Sequence, residues 1–524
     1  MEATFRWRSA PSSQIIGRRR VHLNASAAAC IRAAADPLSF PLLPQQDVGR
    51  EIRQRICREH IAGGYLYLEA GSLIKRNGPD VFHRFRADSD FVYTTGCYDQ
   101  PGAAALLDTE TSSLTLMVEK QPDHAAFWMG PQPSPDELAE NFGADRVCYT
   151  SDLGAFLREQ ARGQDIHVTN AAAKETIRAA LSGTSSASGG PSGSHTNDSQ
   201  EDNKNNGVQS NEMRNGRIID EFLPRVLQRC RSQKTDAELG CMLAASKVSR
   251  EGHLAAWLAS KRNPGSHEFF LEGAFTGAVL SAGANDLGYP CIVGAGPNAA
   301  ILHYEANRSQ IQLGDLVLID AGAEVRCYTA DITRTFPAGG KFTSRQLDVY
   351  NSVLAVQELA ISRMELGAVW TEVDAAARNL LLQQLLDLGL VKGSIESLLE
   401  KRIDRVFMPH GLGHFLGLDV HDMSAEGMVP PQGAQLAQGN VITVEPGIYF
   451  IDTLLKKAAN DAEMAKMLNW DNISAFRTEV GGVRIEDNVA VGVNGGREGP
   501  EGVLNLTMAA GVPKAPWAIE SIMQ

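Results

Sequence analysis

The sequence predicts an α+β protein with two domains. Its 524 residues exceed what one ordinary hydrophobic core accommodates. From about residue 46 to residue 181, a helical pattern and short apolar strands indicate an α/β domain. After residue 215, long helical patterns alternate with paired strand patterns, which is typical of an α+β layer fold. We therefore predict an N-terminal α/β domain at 41–181 and a larger α+β domain at 213–524.

Periodicity places the individual elements of both domains. In the first domain it predicts a helix at Asp47–His60 and strands at Gly64–Leu68, Ala103–Leu107 and Ser113–Val118. In the second it predicts helices at Arg217–Arg231, Asp236–Ala259, Ser344–Leu366, Thr371–Leu388 and Ser394–Arg402. The predicted strands of the second domain are Asp315–Asp320, Glu324–Phe336, Asn440–Glu445, Gly482–Glu486 and Asn488–Val491.

Two segments fall outside these domains. Residues 1–40 form a leader in which six arginines and one acidic residue, Glu2, precede Asp36, a composition that resembles an organelle transit peptide. A disordered extension without targeting value is the alternative. The expected location is therefore cytoplasmic, or a mitochondrion or plastid if the leader is a transit peptide. Residues 182–212 contain one Val and no other large apolar side chain, so we predict a disordered insertion there.

Overall composition excludes some classes of function. Hydrophobic residues make up 43% and charged residues 21%, a balance typical of soluble globular proteins. The formal net charge of −13 opposes general binding to nucleic acid. No apolar run approaches the ~18–20 residues that span a bilayer. The eight cysteines form no CxxC pair, which indicates reduced thiols in an intracellular protein.

Two aspartates give the first indication of a metal site. Asp320 ends one predicted strand, and Asp331 lies in the next, with Ala321-Gly322 suited to a tight turn between them. A hairpin would set both carboxylates on one side, where they repel each other unless a proton or cation lies between them. Because a lone Asp at a strand end is usually a turn residue, the pair alone does not decide the matter.

Three further segments strengthen the metal interpretation. HGLGHFLGLDVHD at 410–422 holds three histidines among glycines that allow close approach of backbone and ligand. TVEPGIYF at 443–450 carries Glu445 at the end of an apolar strand, and GGVRIED at 481–487 carries Glu486. A buried carboxylate is costly unless it is paired or coordinated. Four carboxylates and one imidazole suit Mn²⁺, and also Co²⁺, Fe²⁺ or Zn²⁺. Five such ligands are too many for a single tetrahedral Zn²⁺ site. They fit a pair of ions ~3.5–4 Å apart.

In this order and spacing, the segments resemble the family of Xaa-Pro dipeptidase (prolidase), which includes aminopeptidase P and methionine aminopeptidase. FRADSDFVYTTG at 85–96 and HAAFWMG at 124–130 extend the resemblance into the first domain. It implies a C-terminal pita-bread catalytic domain at 213–524 and an aminopeptidase P type N-terminal domain at 41–181. It also implies two divalent ions per subunit, with Mn²⁺ favoured, held by Asp320, Asp331, His414, Glu445 and Glu486.

The resemblance also assigns roles to neighbouring residues. It implies that His303 contacts substrate, that His421 donates a hydrogen bond or proton to the tetrahedral intermediate, and that His410 shapes a proline pocket. Arg484 matches an arginine that contacts substrate or holds a carboxylate; otherwise it is a structural partner of Glu486. Tyr289 and Thr333 match residues that contact the ligands. Trp128 resembles an aromatic offered to the site of a partner subunit, and a core aromatic is the alternative.

The implied activity is hydrolysis of the Xaa-Pro bond by a homodimer, with no nucleic-acid or membrane partner. A water molecule of lowered pKa would attack the carbonyl carbon, and Glu445 would pass its proton to the proline nitrogen. The family's arginine for the dipeptide carboxylate has no counterpart, since 423–440 contains neither Arg nor Lys. The expected substrates are dipeptides, with an Xaa-Pro aminopeptidase acting on longer peptides as the alternative. A non-catalytic pita-bread binding protein is the alternative of another class, which the intact ligands oppose.

Overall fold

A computed structural model describes residues 45–59, 63–78, 80–183, 216–422, 427–493 and 502–523. The predicted leader at 1–40 lies outside the described residues. So does the predicted disordered insertion at 182–212, except for Ser182, which ends a helix, and Gly183. Among the described residues, no helix combines the length and apolar character required to cross a bilayer.

A six-stranded sheet forms the centre of the N-terminal half. Leu66 and Leu68 of its central strand pack on one face, while Tyr65 and Tyr67 pack on the other. The first four residues of this strand are buried hydrophobic side chains because both faces of the sheet are covered. The helices are α1 Gln45–Arg58, α2 Ser89–Thr95, α3 Ala126–Met129, α4 Pro135–Phe142, α5 Leu153–Glu159 and α6 Ala171–Ser182. The strands are β1 Tyr65–Glu69, β2 Lys75–Asn77, β3 Val81–Phe82, β4 Ala104–Asp108, β5 Leu114–Val118, β6 Arg146–Tyr149, β7 Ile166–Val168 and β8 Ile218–Ile219. The six-stranded sheet has the order β6-β5-β4-β1-β7-β8.

The last strand of this sheet corrects one predicted helix. We predicted a helix from Arg217 to Arg231, but Ile218–Ile219 pairs in parallel with β7, and helix α7 spans Leu223–Ser232. Pro224 explains the later start, because proline fits the first turn of a helix, where its missing N–H is not needed. The other predicted helix and strands of this half agree with the structure to within about two residues at each end.

Long helices and small antiparallel sheets build the C-terminal half. Its further helices are α8 Asp236–Arg262, α9 Glu268–Ser281, α10 Ser344–Ser362, α11 Trp370–Asp387, α12 Ile395–Glu400, α13 Asp404–Phe407, α14 Asp452–Asn460, α15 Ala462–Met467, α16 Trp470–Val480, α17 Leu506–Ala509 and α18 Pro516–Met523. Its strands are β9 Asp286–Leu287, β10 Ile292–Ala295, β11 Leu316–Asp320, β12 Ala323–Val325, β13 Tyr328–Thr329, β14 Thr333–Pro337, β15 Val441–Val444, β16 Gly447–Tyr449, β17 Gly482–Arg484, β18 Asp487–Val491 and β19 Val503–Asn505. The sheets are β10-β11-β14, β13-β12-β9, β15-β18-β19 and β16-β17.

The predicted hairpin between the two aspartates exists but is longer and kinked. Strand β11 pairs with β14, with Asp320 opposite Thr333, and the chain then continues into the pair β12–β13. The predicted tight turn at Ala321-Gly322 is wrong, because the chain reverses at Arg326 and Cys327, whose φ angles are 53° and 65°. Gly322 instead allows the close backbone approach at the kink, since a Cβ there would lie 1.7 Å from the carbonyl oxygen of Ala330.

The same kink corrects the predicted strands. The continuous strand predicted at Glu324–Phe336 is wrong, because the chain there forms three short strands, β12, β13 and β14. The strand predicted at Gly482–Glu486 ends at Arg484, and β18 begins at Asp487. Each break lies beside a predicted ligand, so the irregular backbone directs Asp331 and Glu486 away from regular strand positions.

Helix α8 supports the kinked hairpin from behind. A capping box between Thr235 and Glu238 starts this helix. Farther along it, the Oγ of Ser249 accepts a hydrogen bond from the backbone N–H of Ala323 at 2.9 Å. The Nε2 of His253 lies 3.1 Å from the carbonyl oxygen of Ala321. The helix therefore satisfies backbone groups that the kink leaves unpaired.

The cysteines agree with the prediction of reduced thiols. Within the described part of the chain, the cysteines form no disulfide bonds, and most of them are buried. Burial raises the pKa of the thiols of Cys230, Cys291 and Cys327 to about 12, so these side chains are neutral members of the core.

Candidate metal centre

The five predicted ligands come from four separate chain segments that meet in the C-terminal half. Asp320 ends β11, and Asp331 precedes β14 in the same kinked hairpin. Glu445 directly follows β15, and Glu486 lies in the two-residue link between β17 and β18. His414 lies in the irregular segment between α13 and β15. The structure therefore brings together residues that are far apart in the sequence.

Short distances connect the ligand side chains. The hydroxyl oxygen of Tyr289 lies 2.8 Å from Oδ1 of Asp320 and 2.6 Å from Oδ1 of Asp331, so its one hydrogen is within donating distance of both carboxylates. The Nε2 of His414 lies 3.4 Å from Oδ2 of Asp331 and 3.5 Å from Oε1 of Glu445. One possible ligand atom each from Asp331, His414 and Glu486 lies within 4.8 Å of the others. The oxygen and nitrogen donors thus converge on a common space.

The backbone orients His414 for coordination. Its Nδ1 lies 3.0 Å from the carbonyl oxygen of Phe415, which accepts a hydrogen bond only if Nδ1 is protonated. Nε2 faces the carboxylates, and although burial acts downward, the hydrogen bond with Asp331 and the charge of Glu445 raise the pKa of His414 to about 9. Nε2 would release its proton on coordinating a cation, which leaves the tautomer of a histidine ligand. Gly413 allows this approach, because a Cβ there would lie 1.8 Å from the carbonyl oxygen of Thr443.

Burial and crowding of the carboxylates make a cation favourable. Burial, together with neighbouring carboxylates, raises the pKa of Asp320 to about 6 and that of Glu445 to about 7. It also raises the pKa of Glu486. For Asp331, burial acts upward, but the hydrogen bond and charge of His414 hold its pKa below the ordinary value. Arg484 is the principal basic side chain that contacts these carboxylates. Their donor atoms are mostly oxygens, so the group carries excess negative charge, which a divalent cation would neutralise.

Removal of divalent ions should make stability strongly dependent on pH. In chelator-treated protein, the melting temperature should fall as pH rises through about 6 and 7, where folded Asp320 and Glu445 titrate. The reason is that their folded pKa values exceed the unfolded values near 4, so the folded state binds more protons and loses this stability as they dissociate.

The measurement is a pH series of thermal unfolding, with Glu445→Gln as the matched variant. Because Gln does not titrate, the variant should show a shallower fall than the unaltered protein. Adding Mn²⁺ should raise the melting temperature of the unaltered protein across the series. A melting temperature that climbs with pH in the chelated protein would contradict this account.

Thr333 and Arg484 hold the carboxylates from the side. The hydroxyl of Thr333 donates to Oε2 of Glu486 at 2.6 Å and accepts from Nε of Arg484 at 3.0 Å. Nη2 of Arg484 contacts Asp320, and the Arg484 side chain is only 5% exposed. Of the predicted alternatives for Arg484, this geometry favours the one in which it holds a carboxylate. That carboxylate is Asp320, not Glu486 as the structural alternative assumed.

Tyr449 is a site residue that the sequence analysis missed. Its hydroxyl accepts from Nη1 of Arg484 at 3.1 Å and lies 2.9 Å from Nε2 of His410. Nδ1 of His410 lies 2.7 Å from the carbonyl oxygen of Gly411, so Nδ1 carries the proton and Nε2 accepts from Tyr449. Burial and the nearby Arg484 lower the pKa of His410 to about 3, which keeps the ring neutral. One sequence signal could have indicated Tyr449 as a site residue. It lies two residues after Gly447 and therefore shares the same face of the strand.

Asn488 is a second residue that the sequence analysis missed. Its side-chain oxygen accepts from the backbone N–H of Asp331 at 3.1 Å, and its amide nitrogen contacts the carbonyl oxygen of Asp331. This amide therefore pairs with the backbone of a predicted ligand just as a neighbouring strand would. Nothing in the sequence around 488 distinguishes it from an ordinary strand residue.

His421 and His303 lie on the open side of the centre. The imidazole of His421 meets that of His414 edge to face, with ring centroids 4.5 Å apart. Burial, the charge of His414 and a smaller effect of His303 lower the pKa of His421. His303 is exposed and lies in a turn. The preceding residues Gly296–Ala300 form a 3₁₀ helix that begins at a glycine with φ of 52° and has Pro297 as its second residue.

An ionic cluster holds the segment that carries His421. Asp422 is buried and receives Nη2 of Arg231 at 2.7 Å and Nζ of Lys234 at 3.1 Å. Arg231 also reaches Asp90 of the N-terminal half at 2.8 Å. The N-terminal half is thereby tied to the backbone that positions His421.

Trp128 does not lie in the core. Its side chain is 87% exposed on the short helix α3, next to Phe127 at 87% and Met129 at 66%. The alternative of a core aromatic is therefore wrong, because three consecutive apolar side chains face solvent in the single chain.

Comparison with known proteins adds an independent line of evidence. Residues 240–492 match metallopeptidase family M24, and residues 50–169 match the aminopeptidase P N-terminal domain. An Xaa-Pro dipeptidase of Homo sapiens is 34% identical over 475 residues, which cover 87% of this chain and 89% of the human protein. A probable Xaa-Pro aminopeptidase of Sordaria macrospora is 32% identical, covering 88% and 92% of the two chains.

Solved structures resemble the fold over nearly its full length. Aminopeptidase PepP of Pseudomonas aeruginosa superposes with a TM-score of 0.74 at 28% identity, covering 92% of this chain and 98% of its own. The low-pH form of Escherichia coli aminopeptidase P also gives 0.74, at 29% identity and with 91% and 98% coverage.

Proposed function

Because the chain belongs to metallopeptidase family M24, we propose that it hydrolyses the peptide bond before proline, with dipeptides as its main substrates. It is a hydrolase with the pita-bread fold and an aminopeptidase P type N-terminal domain, as the sequence resemblance implied. The observation that carries the proposal is the convergence of Asp331, His414 and Glu486 within a buried group that also includes Asp320 and Glu445.

We further propose that the five residues hold two divalent ions, with Mn²⁺ favoured over Co²⁺, Zn²⁺ and Fe²⁺. Four carboxylates and one imidazole offer more donors than one ion uses, and oxygen predominates among them. When bound, such ions polarise the scissile carbonyl and lower the pKa of a water molecule. The Nε2 of His414 and the crowded carboxylates Asp331 and Glu486 support this donor set.

The residues around this group would divide the work of proton transfer. Glu445, with a pKa raised to about 7, suits a group that takes a proton from attacking water and returns it to the proline nitrogen. His421 lies on the open side, where its N–H can stabilise the oxyanion, and His303 lies beside it to contact substrate. Both ring nitrogens of His410 are engaged by Gly411 and Tyr449, so His410 would offer its ring to the apolar face of proline.

Arg484 supports catalysis in this scheme by holding Asp320. Three of its N–H groups point to Thr333, Tyr449 and Asp320, which leaves it poorly placed to bind the carboxylate of a dipeptide. Within the described residues 427–440, no Arg or Lys replaces it. Xaa-Pro aminopeptidase activity on longer peptides is therefore the second candidate, because a longer peptide carries no terminal carboxylate next to its proline.

Substrate length separates the two candidates. With Mn²⁺ present, Gly-Pro should be cleaved with a kcat/KM at least equal to that of a Gly-Pro-Xaa tripeptide. Gly-Pro amide is the matched control, because it lacks only the terminal charge. If a cation binds that carboxylate, the amide should be about ten- to a hundredfold poorer, since a charge-assisted bond contributes ~1.5–3 kcal/mol. A tripeptide far better than Gly-Pro would assign the chain to the second candidate, and no cleavage of any of them would refute the proposed function.

Assembly and compartment are further parts of the proposal. The exposed group Phe127, Trp128 and Met129 supports a homodimer in which α3 faces the partner subunit. We propose a cytoplasmic enzyme, or one imported into a mitochondrion or plastid if the arginine-rich residues 1–40 form a transit peptide.

A further inference from the structure

Glu268 is a fully buried carboxylate outside the metal centre. The hydrogen bonds that its side chain accepts all come from residues 295–309. Glu268 is the first residue of α9 and is 0% exposed. Oε1 accepts from the backbone N–H of Ala295 and the side-chain amide of Asn298, both at 2.9 Å. Oε2 accepts from the hydroxyl of Tyr304 and the backbone N–H of Ser309, both at 2.8 Å. The carboxylate is therefore satisfied by four donors.

These four donors bracket His303. Ala295 ends β10, which pairs with the strand that carries Asp320, and Asn298 lies in the 3₁₀ helix that follows. Tyr304 comes directly after His303, and the backbone N–H of Glu268 itself donates to the carbonyl oxygen of Ser309 at 3.0 Å. The start, middle and end of the 295–309 segment are thus bound to one side chain.

The imidazole of His303 depends on this backbone for its position. Among the residues that the structure describes, the His303 ring has no hydrogen-bond partner, and the side chain is exposed. It lies near His421, whose ring stacks edge to face on His414. Because no hydrogen bond to another described residue fixes the ring, its placement beside the centre depends on where Tyr304 and its neighbours hold the backbone.

We propose that Glu268 is the positioning residue for His303, setting where that imidazole meets a substrate. The inference rests on the proposed function, in which His303 contacts substrate. The competing view is that Glu268 only stabilises the fold by tying α9 to β10. Burying a charged carboxylate costs little free energy when four donors pair with it. Loss of the carboxylate leaves those buried donors without hydrogen-bond partners. The two views differ in whether the loss acts through His303.

A double-mutant cycle distinguishes them. Glu268→Gln places an amide NH₂ against N–H donors, so the segment should shift, and kcat/KM for Gly-Pro should fall about ten- to a hundredfold, as expected for a small misplacement. Combining it with His303→Ala should give a kcat/KM close to that of His303→Ala alone, because the positioned group is already absent. Fold-changes that multiply would overturn the proposal. So would loss of bound Mn²⁺ in proportion to activity in Glu268→Gln.

Glu238→Gln is the matched control. Glu238 is also a buried carboxylate that accepts from a backbone N–H, that of Thr235 at 2.8 Å, and from a tyrosine hydroxyl, that of Tyr328 at 3.0 Å. Its partners do not bracket His303, so its effect should multiply with that of His303→Ala. If Glu268→Gln does not fold, Tyr304→Phe removes one donor only and should show the same pattern with a smaller effect.

A readout independent of activity separates this inference from the proposed function. Diethyl pyrocarbonate modifies accessible imidazoles, and peptide mass spectrometry can follow His303 against the exposed His124 of the N-terminal half. In Glu268→Gln, modification of His303 relative to His124 should differ from that of the unaltered protein, because the ring moves with its backbone, while in Glu238→Gln it should not differ. Equal reactivity in both variants would refute the role of Glu268, whether or not the unaltered protein cleaves Gly-Pro.

Discussion

Asp331→Asn is expected to abolish hydrolysis of Xaa-Pro substrates and to lower the content of bound metal. Asp331 lies 3.4 Å from Nε2 of His414, shares the hydroxyl of Tyr289 with Asp320, and lies within reach of Glu486. Asp331 is thus the carboxylate that lies close to most of the other predicted ligands. Removing a group that only supports a ligand already costs about 10–100-fold in affinity or activity. Neutralising the central carboxylate should therefore cost at least ~100-fold.

The measurement is metal content by elemental analysis together with kcat/KM for Gly-Pro. Asp487→Asn is the control, since Asp487 is an equally buried carboxylate one residue from Glu486 that contacts Arg334 at 2.7 Å and Lys514 at 2.9 Å instead. The control should lose stability but keep its metal. Full activity and unchanged metal content in Asp331→Asn would disprove the assignment of the centre.

Glu445→Gln is expected to lower kcat by about 10²–10⁴, the range for loss of a general acid–base group. Its carboxylate is less enclosed than the other ligands, with 17% of the side chain exposed. Gln keeps an oxygen that can still act as a donor but cannot take up a proton. Metal content should consequently fall less than it does in Asp331→Asn, and KM should change less than kcat.

The comparison variant is Glu486→Gln, which alters a fully buried ligand held by Thr333. We expect that variant to lose metal and activity together, whereas Glu445→Gln should lose activity while it retains metal. Retention of most of kcat in Glu445→Gln would exclude it as the proton carrier.

Much of the centre could be predicted because chemistry marks its residues. Asp320 and Glu445 stand at the ends of apolar strands, where an unpaired charge would be costly, and His414 stands among glycines that allow close approach. The long helices α8 and α10 followed from apolar periodicity. These signals are local, so a single sequence carries them.

Other features could not be predicted because they depend on distant contacts. The reversal at Arg326 and Cys327 places two non-glycine residues at positive φ, and neither carries the Asn-Gly or Asp-Gly signal of such turns. Tyr449 and Glu268 look like ordinary buried or helical residues until folding brings Arg484, His410 and the 295–309 segment to them. Strand β8 differs from the predicted helix because two isoleucines before a helical pattern carry no period of their own.

The origin of the ligands in four chain segments has a consequence for folding kinetics. Arg484 and Asp320, which touch in the native state, are 164 residues apart in sequence. Contacts of such separation require closure of long loops, which is slow and occurs after local structure has formed. The complete donor set should therefore appear only in the last stage of folding. Divalent ions would then act on the finished fold by mass action, slowing its unfolding more than they accelerate its formation.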